Sequence, residues 1–171
     1  MLAAGHGDMV AFGRLVTQYQ KPAWSIAYRF LGNAAEAEDA VQEAFVKILK
    51  AAPHYKPTAS FQTYLYRVVA RVCMDRTEKK HPDYVADFSQ EQDTSPSVLD
   101  KMDQEERDDA IRAATALLPP NQRMAVVLRY FEGLSHREVA SAMGISEKAV
   151  ERLLARARST LESRLSPFLG K

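Results

Sequence analysis

The chain has 171 residues, of which 46% are hydrophobic and 26% are charged, with a formal net charge of +1. These values exclude wholesale disorder and suit one ordinary domain or two small ones. No stretch approaches the roughly 20 apolar residues of a membrane span, and the N-terminus lacks the segments of a secretory signal, so we expect a cytoplasmic protein with no membrane insertion.

Three helical patterns fill the first 80 residues. Apolar residues recur at helical spacing from Asp8 to Leu31, where Pro22 is expected to bend or divide the run and Gly32 to end it. A second amphipathic pattern follows in AAEAEDAVQEAFVKILKAA, residues 34–52. The third starts near Ser60, which can cap its N-terminus, and its apolar stripe is formed by Phe61, Leu65, Val68, Val69 and Val72.

The loop between the second and third patterns is APHYKPTAS, residues 52–60. The third helix is expected to turn Thr63, Arg67, Arg71 and Met74 away from its apolar stripe. Cys73 lies within the apolar pattern, which favours a buried structural thiol over a reactive one. As the single cysteine, it excludes an internal disulfide, and no other thiol is available for a zinc cluster.

An acidic segment separates two mildly basic blocks. Residues 81–110 hold 2 Lys and Arg against 10 Asp and Glu, whereas residues 1–80 hold 11 against 7 and residues 111–171 hold 10 against 5. No helical period is sustained in DYVADFSQEQDTSPSVLD, and no strand-like alternation appears anywhere in the chain. We predict an all-α protein with two small helical domains, residues 1–80 and 106–171, joined by an acidic flexible linker over residues 81–105.

The C-terminal block contains a helix-turn-helix pattern. A helical run in QEERDDAIRAATALL stops at Pro119, and another ends at Gly133. In GLSHREVASAMGISEKAVERLLARAR, residues 133–158, Ser135 and Glu138 predict a capping box, and Gly144 predicts the end of a helix of about nine residues. Ser146 can cap a second helix, and two helices joined by such a short turn are typical of helix-turn-helix modules.

The second helix of this pattern segregates its side chains. Val150, Leu154 and Ala157 share one face, while Lys148 and Arg152 lie opposite. Cations on such a face can neutralise phosphates and donate hydrogen bonds to guanine edges in the major groove. An ordinary helical hairpin with a solvated basic face would show the same pattern, and the pattern alone does not separate the two.

Three segments resemble bacterial sigma factors of the extracytoplasmic-function group. LPPNQRMAVVLRYFEGLSHREVASAMGISEKAVERLLARARSTLESRL, residues 118–165, resembles the promoter-binding region 4 of that group. LGNAAEAEDAVQEAFVKIL, residues 31–49, and FQTYLYRVVARVCMDRTEKK, residues 61–80, resemble the two signature helices of its region 2. The order, the spacing and the acidic linker also match, so the resemblance covers nearly the whole chain.

The resemblance implies a protein that catalyses nothing and needs no cofactor or metal. It implies binding to core RNA polymerase, at the beta-prime clamp helices and the beta flap, and promoter-specific initiation in which region 2 opens the minus 10 element and region 4 contacts the minus 35 element. Many members of the group are held inactive by a cognate anti-sigma factor. In the group the acidic linker threads polymerase channels, although a plain soluble tether would have the same charge.

The resemblance also implies three sets of site residues. The residues expected to bind polymerase are Glu38, Asp39, Gln42 and Glu43. Those expected to contact minus 10 DNA are Tyr55, Lys56, Tyr64, Arg67 and Arg71. Those expected to contact minus 35 DNA are Arg137, Ser146, Lys148, Glu151, Arg152 and Arg156. Two positions depart from the group's pattern: Tyr64 stands where Trp is common, and Glu151 puts an acid among the cations of the recognition helix.

The main alternative is a free-standing helix-turn-helix regulator with residues 1–80 as a sensory or dimerisation domain. Such a protein would bind DNA without polymerase, usually as a dimer on a two-fold symmetric site. The weak net charge argues against strong binding of the free chain to duplex DNA. An enzyme is disfavoured, because no nucleophile or metal spacing and no Gly-rich phosphate loop is found in the sequence.

Overall fold

The computed structural model describes residues 1–80 and 111–165, and these parts are helical without strands, which confirms the all-α prediction. The first part contains α1 (Leu2–Gly5), α2 (Met9–Leu31), α3 (Ala34–Ala51), a 3-10 turn (Ala52–His54) and α4 (Phe61–Lys80). The second contains a helical stretch over residues 111–116, α5 (Pro120–Val126), a π-helical turn (Val127–Phe131), α6 (His136–Met143) and α7 (Glu147–Leu165). The predicted linker, residues 81–105, lies outside the described residues.

Side-chain caps set the beginnings of the long N-terminal helices. Asp8, Asn33 and Ser60 each accept a hydrogen bond from the backbone N–H three residues later, at 2.9, 3.0 and 3.1 Å. Gly32 ends α2 in the left-handed conformation with φ +74°, which glycine adopts without a steric penalty. The boundaries expected at Gly32 and Ser60 are therefore confirmed.

Pro22 does not divide the first helical pattern, because α2 runs unbroken from Met9 to Leu31. Proline inside a helix removes one backbone hydrogen bond and crowds the preceding turn, at a cost of about 3 kcal/mol. Buried side chains on both sides of it, Phe12 before and Ile26 and Phe30 after, hold the helix together through packing.

α1 was not predicted, and it packs against the 3-10 turn. A Cβ atom at Gly5 would lie 2.5 Å from the carbonyl oxygen of Ala52, so only glycine allows this approach. The contact connects the N-terminus to the loop that follows α3.

The helices α2, α3 and α4 pack on one another around an apolar core. The largest fully buried side chains of this core are Ile26, Phe30, Ile48, Leu65, Val69 and Val72. In the second part Leu118, Met124, Leu128, Val139 and Val150 are buried in the same way. The buried apolar side chains of the two parts belong to one continuous core cluster.

The two parts also pack against each other. α4 contacts α6, and α2 contacts the π-helical turn. Tyr66 and Ala70 of α4, each 2% exposed, are buried beside the stripe that the sequence predicts for this helix. The sequence patterns gave no indication of this contact. None of the described helices is long and apolar enough to cross a membrane.

The Cys73 thiol offers a direct test of the core. Its side chain is fully buried, and burial raises the pKa of the Cys73 thiol to about 12. Because the thiolate is the reactive form, alkylation by iodoacetamide at pH 8 should be at least about 100-fold slower in the native chain than in the chain unfolded by guanidinium. Mass spectrometry of timed samples measures both rates, and similar rates would contradict the described core.

Candidate functional site

One face of α3 presents polar side chains to solvent. Glu38, Asp39 and Gln42 are exposed because the opposite face of the helix buries Ala37, Ala40, Val41 and Ala44 in the core. This separation follows from the 3.6-residue period of the helix. The three exposed side chains form a continuous polar surface suited to contact with another protein.

Glu43 lies at the edge of this face and is engaged within the chain. Its carboxylate accepts hydrogen bonds at 2.9 Å from Lys47 on the same helix and from Arg76 on α4. The hydrogen bond from Lys47, followed by that from Arg76, lowers the pKa of the Glu43 carboxyl despite its partial burial. Glu43 therefore connects α3 to α4, in addition to any external contact.

Val46 adds an apolar side chain to the α3 face. It is 49% exposed and shares a helix face with Asp39 and Gln42. Val46 was not among the predicted site residues, because it lies outside the buried apolar stripe of the helix. The available signal was an apolar residue at a position where the helical period predicts a polar one.

A pocket of about 230 Å³ lies between the loop and the first turns of α4. Its walls include four of the residues expected to contact minus 10 DNA: Tyr55, Lys56, Tyr64 and Arg67. His54 and Thr58 line it as well, and nothing in the loop sequence had distinguished these two. The pocket combines aromatic rings with cationic side chains, which is a surface suited to an unstacked base beside its phosphate.

The aromatic wall of this pocket is supported from the core. The Tyr55 and Tyr64 rings lie 5.1 Å apart between centroids, and Phe61 packs against both Tyr64 and Tyr19, at 6.3 and 5.0 Å. Burial raises the pKa of the Tyr64 hydroxyl, so this side chain stays neutral at physiological pH. The Tyr64 ring is therefore an uncharged stacking surface that packs against Phe61.

Arg67 and Arg71 differ in their surroundings. Arg67 lines the pocket, and its guanidinium also donates to the Ser141 hydroxyl of α6 at 3.4 Å. Arg71 does not line the pocket; its side chain is 80% exposed and pairs with Asp75 at 3.0 Å. One turn of α4 separates the two cations, so both lie along the same side of the helix.

The helix-turn-helix predicted from the sequence is confirmed. Ser135 and Glu138 form the expected capping box at the start of α6, and Gly144 ends that helix with φ +69°. The Ser146 hydroxyl accepts a hydrogen bond from the Ala149 N–H at 3.2 Å at the start of α7. α6 has eight residues, close to the nine expected.

The outer face of α7 carries the expected cations. Val150, Leu154 and Ala157 are buried against the rest of the second part. The polar positions proposed for minus 35 DNA are all exposed, namely Arg137 on α6 and Ser146, Lys148, Glu151, Arg152 and Arg156 on or beside α7. The charge of this exposed face is mainly positive.

No cluster of three or more potential metal ligands occurs among residues 1–80 and 111–165. The described parts present an acidic face on α3, an aromatic and cationic pocket beside α4, and a cationic face on α7.

Two family models match the chain. The model for sigma-70 region 2 matches residues 15–81, and a model for sigma-70 region 4 matches residues 108–161. The two matched segments include most of the helices described above, and the boundary between them falls in the acidic segment.

Full-length relatives give the same result. The chain is 31% identical to the ECF RNA polymerase sigma factor SigW of Bacillus subtilis, over 93% of this chain and 91% of SigW. It is 31% identical to SigM of Mycobacterium tuberculosis, over 99% of this chain and 85% of SigM. It is 28% identical to the ECF sigma-E factor of Escherichia coli, over 96% and 92% of the two chains.

Solved structures resemble the whole chain. CnrH, solved in complex with the cytosolic domain of CnrY, superposes with a TM-score of 0.67 at 26% identity, over 94% of this chain and 91% of CnrH. The sigma factor RpoE of Bartonella quintana, solved with the anti-sigma factor NepR, has a TM-score of 0.68 at 18% identity, over 91% and 97%, and supports the fold alone.

Proposed function

Because the chain belongs to the ECF sigma factors of the sigma-70 family, which bind core RNA polymerase and direct promoter-specific transcription initiation, we propose that three of its surfaces divide this work. They are the outer face of α3, the pocket beside α4 and the outer face of α7. Residues 1–80 act as region 2, residues 106–171 as region 4, and residues 81–105 as the linker. The protein acts where polymerase and DNA are found, and it catalyses no reaction of its own.

The outer face of α3 binds the polymerase, at the beta-prime clamp helices. Glu38, Asp39 and Gln42 supply a polar and acidic surface, and Glu43 borders it. Val46 supplies an exposed apolar side chain for such an interface, whose buried core is more apolar than its rim. Region 4 makes a second contact, with the beta flap.

The pocket beside α4 holds an unstacked base of the opened minus 10 element. The observation that carries this proposal is the convergence of Tyr55, Lys56, Tyr64 and Arg67 around one pocket of about 230 Å³. A base stacks on an aromatic ring while cations nearby hold the phosphate backbone. Arg71, further along the same helix, extends this cationic track.

The outer face of α7 contacts the duplex of the minus 35 element. Lys148, Arg152 and Arg156 lie in or beside the major groove together with Glu151, and Arg137 and Ser146 contact phosphates. Glu151 can accept a hydrogen bond from a cytosine amino group, a contact that cations cannot make.

A protein partner that restrains the chain is also proposed. CnrH, a structural neighbour at 26% identity, was solved in complex with the cytosolic domain of CnrY. By analogy, a cognate anti-sigma factor would cover the polymerase-binding surfaces of this chain. A free-standing regulator is not favoured, because the family matches fall in both halves of the chain.

The first prediction concerns the α3 face. Asp39→Arg combined with Gln42→Ala should abolish binding to core RNA polymerase, because it reverses a charge and removes a hydrogen-bonding group at the centre of the surface. Glu78→Arg, at an exposed site on α4, is the matched charge-reversal control and should bind normally. Pull-down with core polymerase measures binding and circular dichroism checks helicity; wild-type binding by the double variant would refute the assignment.

The second prediction concerns the pocket. Tyr64→Ala should lower open-complex formation by about 5- to 150-fold, since stacking contributes about 1–3 kcal/mol per base. Tyr64→Trp retains an aromatic surface and should restore opening. Permanganate reactivity of unpaired thymines in the minus 10 element measures the open complex, and equal loss with both variants would show that stacking is not the role of this side chain.

The third prediction separates base contacts from phosphate contacts in region 4. Arg152→Ala should cost about 1–3 kcal/mol of promoter affinity and relax preference at a single position of the minus 35 element. Arg137→Ala should weaken all promoter sequences alike. Transcription from a randomised minus 35 library by polymerase carrying each variant tests both, and an unchanged preference with Arg152→Ala would remove that residue from the base-contacting set.

A further inference from the structure

The walls of the pocket beside α4 differ in how they are held in place. Tyr64 and Arg67 belong to α4, a helix whose apolar stripe is packed in the core. Tyr55 and Lys56 belong to the loop that precedes this helix, where two prolines lack the backbone N–H that other residues can donate. Binding loops are usually positioned by a rigid scaffold, so the loop side of this pocket needs support from a neighbouring element.

One backbone hydrogen bond places Tyr55 at the end of the 3-10 turn. The Tyr55 N–H donates at 3.2 Å to the carbonyl oxygen of Ala52, the first residue of that turn. Ala52 itself is buried, with 4% of its surface exposed. The Tyr55 ring then lies 5.1 Å from the Tyr64 ring between centroids. A shift of the Ala52 carbonyl would therefore move the Tyr55 ring relative to the fixed wall on α4.

The short helix α1 lies directly against this carbonyl. A Cβ atom added at Gly5 would lie 2.5 Å from the Ala52 carbonyl oxygen and 3.1 Å from the carbonyl carbon. The residue before it, Ala4, is 5% exposed and belongs to the apolar core cluster. The oxygen that accepts the Tyr55 hydrogen bond is thus also the atom against which α1 packs.

α1 is itself anchored to a core helix. It has only four residues, whereas isolated helices shorter than about 12–15 residues are marginal in water, so its neighbours must stabilise it. The Asp8 N–H donates to the Ala3 carbonyl oxygen at 3.1 Å, and the Asp8 carboxylate caps α2 by accepting from the Ala11 N–H at 2.9 Å. α1 therefore connects the start of α2 to the loop that forms the pocket.

We propose that α1 is a positioning element of the pocket beside α4: Ala4 and Gly5 hold the Ala52 carbonyl where it places the Tyr55 ring beside Tyr64. α1 does not line the pocket, so it acts through the loop and not by contact with a base. A site whose side chains are placed in advance loses less freedom on binding and binds more tightly. The role in promoter opening rests on the proposed function of the pocket, whereas the support of the loop by α1 does not.

Two variants remove this support in different ways. Gly5→Ala forces a Cβ atom against the backbone of the 3-10 turn, and Ala4→Asp places a charge at a buried position and should undock α1. Each has a matched control. Gly13→Ala adds a Cβ atom on α2 where nothing lies within 4 Å, and Ala3→Asp adds the same charge at an exposed position of α1. Slow alkylation of Cys73 and an unchanged circular dichroism spectrum show that each variant is folded.

Hydrogen exchange of the Tyr55 amide, measured by NMR on the full-length chain without polymerase, tests the support directly. Gly5→Ala and Ala4→Asp should each lower the protection of this amide by about fivefold or more, because its acceptor is displaced or freed to move. Gly13→Ala and Ala3→Asp should exchange like the wild type. An unprotected Tyr55 amide in the wild type, unchanged protection in the two variants, or an equal loss in the controls would overturn the proposal.

Promoter opening at saturating core polymerase gives the second measurement. Permanganate reactivity of the minus 10 element should fall by about fivefold or more in Gly5→Ala and Ala4→Asp, the lower end of the loss expected when stacking on one ring is lost. Binding to core polymerase and the preference for minus 35 sequences should stay as in the wild type. Losses of equal size in all three properties would indicate general damage, and unchanged opening despite lost Tyr55 protection would contradict a positioning role.

Double variants identify the side chain through which α1 acts. In a Tyr55→Ala background, Gly5→Ala should lower opening by less than about twofold further, because the ring that it misplaces is already absent. Combined with Arg152→Ala, in contrast, its effect should multiply, since the two sites are independent. Multiplying losses for Gly5→Ala and Tyr55→Ala would contradict action through Tyr55. If the wild type opens no promoter with its own polymerase, the proposed function fails, while amide exchange still decides whether α1 holds the turn.

Discussion

The packing of α4 is the constraint on which the rest of the structure depends. Leu65, Val69 and Val72 complete the core with α2 and α3, while Tyr66 and Ala70 are buried on the side next to them. Because so much of α4 is buried, only a narrow strip of the helix faces solvent, and Arg67 and Arg71 lie on that strip. Arg67, one of the residues proposed to contact DNA, therefore lies at the edge where the second half of the chain also packs.

The contacts inside each half differ in kind from the contacts between the halves. Inside, apolar side chains such as Phe30 and Leu128 are almost fully removed from water, and their burial stabilises the fold. Between the halves, apolar burial of side chains such as Tyr66 and Ala70 is combined with hydrogen bonds to Glu132, which replace hydrogen bonds to water at little net gain.

Much of the candidate site lies on exposed helix faces, and for this reason many of its residues were predictable. Exposed helix faces follow directly from the period of the sequence, as the faces of α3 and α7 show. The pocket was harder to predict, because it depends on how the loop folds back onto α4: Tyr55 and Lys56 were identified, whereas His54 and Thr58 were not. Arg71 lies on the predicted side of α4 but outside the pocket.

The sequence by itself determined the features that depend on neighbours a few residues away: the caps at Ser60, Ser135 and Ser146, the helix ends at Gly32 and Gly144, and the order of the helices. Only the tertiary structure decided the π-helical turn, the docking of α1 on the 3-10 turn and the position of Glu132 between α2 and α4. Local hydrogen bonds and helical periodicity are encoded within single segments. Contacts such as Tyr66 with Glu132 join residues far apart in the chain, and their energies depend on how complete helices pack.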